Sequence, residues 1–187
     1  MKIAQKHWSF CAIFKKIKEC CMKKFIEKIQ KICEENQKVA MFIDMDGTIN
    51  EYEVYSESSV AKQMEDNYSR VEPVMPIIEV IEKINKIANI DLYILSLSKT
   101  NKISEEKDIW LDRYIEFIPR ENRIVLTKEN GGYSSENRDI IKALKMQEKL
   151  SEYDRLILLD DDHKILKNVG EILGNKANAF HITSALI

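Results

Sequence analysis

From position 39 onward the chain alternates short apolar, β-branched runs with stretches of helical periodicity, and that alternation leaves few folds open. The runs lie at about 39–45 (VAMFIDM), 90–96 (IDLYILS), 122–127 (NRIVLT), 155–160 (RLILLD) and 179–183 (AFHIT), with helical spacing at about 76–88, 104–116, 137–149 and 163–173. Strands separated by helices build a parallel sheet, because parallel neighbours need a crossover and the crossover helices then cover both faces. The segments FID, LYIL and LILL are continuously apolar, as strands buried on two sides require. The expectation is a three-layer α/β/α sandwich around a mainly parallel, five-stranded, Rossmann-like sheet. Ser104 followed by Glu105 and Glu106 suits a helix start, and Gly174 suits the end of the last helix.

The segment ahead of the first strand has a different texture. Phe10, Ile13, Phe14, Ile17, Cys21, Phe25, Ile29 and Ile32 recur at helical spacing with lysines on the opposite face, which predicts a basic amphipathic helix, whole or broken, between Ile3 and Cys33. Residues 1–38 hold ten Lys and four Glu, although the whole chain is at −2. The body is therefore acidic, which argues against binding to duplex nucleic acid. The apolar stripe is expected to pack on the rest of the protein, with a membrane surface, a partner or a second copy of the chain as the other occupants. At 187 residues with only 5 Gly and 3 Pro, the composition is that of a folded chain with one core. The domain reading is an N-terminal helical extension over 1–36 and an α/β domain over 37–187.

Cys11, Cys20, Cys21 and Cys33 show no CxxC or Cys/His spacing, so a reduced, cytoplasmic protein is expected. No apolar run approaches the length of about 20 residues that spans a membrane, and lysines interrupt the stretch where a signal peptide would be apolar.

In parallel α/β sheets ligands gather beyond the carboxyl ends of the strands. There the first run reads Asp44-Met45-Asp46-Gly47-Thr48, with two carboxylates two residues apart and so on the same side of the chain. Such a pair repels itself unless a cation sits between or one carboxyl is protonated, and both conditions serve phosphoryl chemistry. The fourth run ends in Asp160-Asp161-Asp162, on an edge expected beside that of Asp44. A cluster of oxygen ligands of this kind suits Mg²⁺. The second run ends in Ser96, with Ser98, Lys99 and Thr100 beyond it, a junction where a hydroxyl and free amides can hold a phosphate oxygen.

The order DxDGT, an apolar run ending in Ser, a basic residue and an acidic pair after another apolar run resembles the haloacid dehalogenase (HAD) superfamily of phosphatases, over about residues 38–183. The stretches YILS, WLDRYI, IPRENRIV and LILLDDDHKIL further resemble small bacterial 5′(3′)-deoxyribonucleotidase-like proteins. The resemblance implies a phosphomonoester hydrolase in which Asp44 is the nucleophile and Asp46 the general acid and base. It implies Mg²⁺ held by Asp44, the Met45 backbone carbonyl and Asp160, with Asp161 in support, and a phosphoryl group held by Ser96. The family's basic residue has no clear counterpart; Lys128 fits first and Arg138 second, while Lys142 fits if the intervening loop folds back. The implied substrate is a small phosphorylated molecule, with a deoxyribonucleotide in view. A small cap over about 49–71 would shape its pocket, with Tyr52, Tyr55 and Tyr68 available for stacking.

Overall fold

The computed structural model of the chain describes residues 10–51 and 71–186, with the side chains of the first helix described from Met22 onward. Five strands form one sheet in the order β3-β2-β1-β4-β5, where β1 is Val39–Ile43, β2 Ile90–Ser98, β3 Arg123–Thr127, β4 Arg155–Asp160 and β5 Ala177–His181. All four pairings are parallel. The helices are α1 (Phe10–Glu34), α2 (Met75–Ile84), α3 (Asn101–Tyr114), α4 (Arg138–Gln147), α5 (His163–Leu173) and α6 (Thr183–Leu186).

The pleat of β1 sorts its side chains between two cores. Val39, Met41 and Ile43 join Phe25 and Ile29 of α1, Ile77 and Ile81 of α2, Trp110 and Leu111 of α3, and Ala185 of α6. Ala40 and Phe42 join Ala143 and Met146 of α4 and Ile165, Val169 and Leu173 of α5. This is the expected three-layer sandwich, and it explains the uninterrupted apolar runs, since every residue of β1 meets a helix on one face or the other. The described part of α1 packs its stripe on the domain: Phe25 meets the ring of Phe180 edge-on at 5.4 Å, and Met22, Phe25, Ile29 and Cys33 are buried. Among the described residues no helix is long and apolar enough to cross a membrane.

Several boundaries depart from the sequence reading, among them the end of β1 at Ile43 and of α2 at Ile84. The helix α3 begins at Asn101, capped by Thr100, whose hydroxyl accepts from the Ile103 amide at 3.2 Å, so Ser104 lies inside the first turn. β5 lies two residues earlier than AFHIT, because pairing Leu156 with Ala177 and Asp160 with His181 sets its register. β2 continues past Ser96 to Ser98.

The chain runs from β1 outward through β2 to β3, then returns to the other side of β1 for β4 and β5. The reversal opens a crevice between β1 and β4 at their carboxyl ends, the place where such sheets bind ligands.

Candidate active site

Because β1 pairs with β4 from Val39–Arg155 to Ile43–Leu159, the next residues on the two strands, Asp44 and Asp160, emerge side by side. The Asp44 amide still donates to the Leu159 carbonyl at 2.9 Å, so Asp44 is held as a continuation of the strand. Asp161 follows, and one carboxylate oxygen from each of Asp44, Asp160 and Asp161 lies within 4.8 Å of the others. Gly47 makes that approach possible. Its φ is +76°, and a Cβ there would stand 2.6 Å from an Asp161 carboxylate oxygen, so that carboxylate would have to move.

Lys142 of α4 enters this cluster from the opposite layer. It is buried, and its Nζ lies 2.6 Å from Asp44 Oδ1 and 2.6 Å from Asp160 Oδ2. Burial opposes its charge, but the two carboxylates more than compensate and raise its pKa. Asp44 goes the other way from an ordinary carboxyl: burial pushes it up to about 6, with Lys142 pulling down and Asp160 and Asp46 pushing further up. Asp161 is raised as well, by burial first and the Asp44 charge second. Three carboxylates that bring hard oxygen donors within 4.8 Å of one another fit a divalent cation such as Mg²⁺.

Asp46 sits at the cavity beside this group, and its carboxylate is gripped on both sides. Asn50 Nδ2 donates to Oδ1 at 3.4 Å, while Lys107 of α3 donates to Oδ2 at 2.6 Å. Lys107 also donates to Ser96 Oγ at 2.9 Å and to the Leu97 carbonyl at 2.8 Å. The cavity has a volume of about 830 Å³ and is lined among others by Asp44, Asp46, Ser98, Tyr133, Arg138, Lys142, Asp160, Asp161 and His163.

Several expected residues stand elsewhere. Ser96 is buried and spent on Lys107, and Ser98, one pleat further along β2, is the serine on the cavity wall. Lys128 donates from an exposed position to Ser135 Oγ at 2.7 Å, away from the lining, because Gly131 and Gly132 turn the chain tightly back on Thr127. Arg138 does line the cavity but is paired with Asp139 at 2.8 Å and Asp162 at 3.1 Å. The basic residue among the carboxylates is Lys142. The Met45 carbonyl accepts from the amides of Thr48, Ile49 and Asn50 at 3.0–3.2 Å, so it faces into its own turn and offers nothing to a cation. Asp162, third in the acidic run, caps α5 through the Lys164 amide at 2.9 Å. The proposed cap tyrosines Tyr52, Tyr55 and Tyr68 lie outside the described residues, as does most of the 49–71 insert.

Lys107 and Asn50 escaped the sequence reading. A signal for Lys107 was present: with Ile103, Trp110, Leu111 and Tyr114 it falls on the stripe of α3 that faces the core, where a lysine demands a buried acceptor.

No family model matches the chain, and no curated protein matches it. Among solved structures it is similar to the HAD domain of the effector protein Lem4 from Legionella pneumophila, at 15% identity and a TM-score of 0.50, over 78% of this chain and 87% of that one. An inactive mutant of that domain matches at 15% identity and a TM-score of 0.49, over 77% of this chain and 84% of that one. At 15% identity the first of these likenesses shows the HAD-like fold.

Proposed function

We propose that the protein is a Mg²⁺-dependent phosphomonoester hydrolase working through an aspartyl-phosphate. The observation that carries this reading is the convergence of Asp44, Asp160 and Lys142 at the switch point of the sheet, with Asp46 at the same cavity. Asp44, Asp160 and Asp161 would hold the cation, which when bound shields the anionic carboxylate from the anionic phosphate.

Lys142, beside Asp44, neutralises charge on the non-bridging oxygens of the phosphate dianion. The Asp44 carboxylate attacks phosphorus as the bond to the ester oxygen breaks, and Asp46 gives that oxygen its proton so that an alcohol leaves. Asp46 then takes a proton from water as the water oxygen bonds to phosphorus and the bond to Asp44 breaks, which returns both aspartates and releases inorganic phosphate. Handing the phosphoryl group to another alcohol would use the same steps, so a phosphotransferase shares this chemistry. The substrate in this reading is a small cytoplasmic phosphate ester, and deoxyribonucleotides head the panel to be assayed.

The test is phosphate release from p-nitrophenyl phosphate with Mg²⁺. The expected result is turnover that Asp44→Asn lowers by about 10³-fold or more and EDTA abolishes. Turnover that survives the substitution overturns the mechanism.

A further inference from the structure

We infer that Lys107 is a positioning residue that fixes the Asp46 carboxyl for proton transfer; this rests on the phosphomonoesterase reading above. Its side chain is fully buried, and its three N–H donors meet three acceptors, Asp46 Oδ2 at 2.6 Å, Ser96 Oγ at 2.9 Å and the Leu97 carbonyl at 2.8 Å. Two of these anchors belong to β2, the neighbour of the strand that delivers Asp46, so the ammonium ties the acid to the rigid sheet. The Asp46 side chain is 29% exposed, so Lys107 reaches from the core to a group on the cavity.

The position itself shows that the contact is costly. Lys107 occupies the core stripe of α3 one turn before Trp110, which is buried and donates to the Val71 carbonyl at 2.9 Å. An apolar side chain there would pack without desolvating a charge. Packing thus does not account for a lysine, whereas holding one oxygen of Asp46 does. With Oδ2 accepting from Lys107, the proton passed to the ester oxygen is carried on Oδ1. Lys107 keeps its own protons throughout, and Asp46 alone gives one to the leaving oxygen and takes one from water. The Asn50 amide bond to Oδ1 limits rotation from the other side.

A general acid matters most when the leaving group is poor, which separates loss of proton transfer from general damage. The measurement is kcat/KM for a series from p-nitrophenyl to phenyl to p-methoxyphenyl phosphate in wild type, Lys107→Met, Lys107→Gln, Asp46→Asn and Asp46→Asn/Lys107→Met. Lys107→Met is expected to lose about 100-fold on the phenyl ester and under about tenfold on the nitrophenyl ester. It should add nothing further in the Asp46→Asn background. Thermal stabilisation by Mg²⁺ with beryllium fluoride, which mimics the phosphoryl group on Asp44, is expected to survive in Lys107→Met. Equal losses across the series, a full further loss in the double variant, or disappearance of the fluoride response each overturn the positioning role while leaving the hydrolase intact. If Lys107→Met fails to give a cooperative melt, Lys107→Gln, which keeps an N–H donor but not the ammonium, is read instead: a smaller loss confined to the phenyl and p-methoxyphenyl esters is expected, and an equal loss across the series overturns the role. Absence of turnover on every ester in wild type overturns the hydrolase reading and this role with it.

Discussion

At the scale of single residues, the site is a balance of buried charges. Burial pushes the Asp44 carboxyl from the ordinary 3.8 up to about 6 in the folded chain, so between these values the native state holds a proton that the unfolded state has released. Stability from this group therefore falls as pH rises from about 4 to 6 and stays low above, by at most about 3 kcal/mol at 1.36 kcal/mol per pKa unit. Asp44→Asn removes that decline. In urea unfolding with EDTA the variant is expected to match wild type near pH 3.5 and to exceed it near pH 7.5, and equal stability at both pH values would refute the assignment. Gly47→Ala makes the opposite demand, since its Cβ would strike the Asp161 carboxylate while φ stays at +76°. A loss of about 1–2 kcal/mol with weaker Mg²⁺ binding is expected, measured by melting with and without the ion. The acids were legible in the sequence because each directly follows an apolar run whose end marks the edge of the sheet. Lys142 was legible only as the third candidate after Lys128 and Arg138, because a helical lysine reaches the site only through the packing of α4 across β1 and β4, which no local pattern encodes.

At the scale of elements, the strands and most helices could be read from periodicity, and the misplacements share a cause. β5 at the sheet edge has only partly buried or exposed residues, so hydropathy did not fix its position and pairing with β4 did. Thr100 took the cap from Ser104 because the chain enters α3 directly on leaving β2. Under the proposed function, the 49–71 insert is expected to bear on substrate choice. Its two ends are fastened together, the Glu51 amide donating to the Glu72 carbonyl at 3.0 Å and the Val74 amide to the Ile49 carbonyl at 2.8 Å. Asn50, Glu51 and Val71 at those ends line the cavity. A short Gly/Ser linker in place of residues 52–70 therefore spans a gap that the remaining backbone already closes. The replacement is expected to melt within a few degrees of the parent and to keep turnover of p-nitrophenyl phosphate, while discrimination among a panel of phosphorylated metabolites collapses. An unchanged preference across the panel would place specificity elsewhere, on the wall formed by Tyr133, Arg138 and His163.

At the scale of the molecule, strand order explains why residues so distant in sequence can act together. Asp44 leaves the central strand, Asp160 leaves the strand added after the chain reverses, and Lys142 lies on the helix that makes the reversal. None of the three is near the others until β4 has docked on β1, so a cation bound by Asp44, Asp160 and Asp161 binds the folded state and not the unfolded chain. Affinity and global stability are then one equilibrium. A ligand present at 100 times its Kd adds about 2.7 kcal/mol, which for a chain of this size is about 5–10 °C in Tm. Melting temperature should thus climb with the logarithm of Mg²⁺ concentration once the site is filled, and EDTA should reverse the climb. Asp160→Asn should flatten the response, because it removes a ligand and leaves Lys142 paired with Asp44 alone. Substituting the exposed pair Lys23 and Glu27 on α1 should leave it unchanged. A Mg²⁺ response that persists in Asp160→Asn would mean that the ion binds away from the crevice between β1 and β4, and the link from strand order to cation binding would fail.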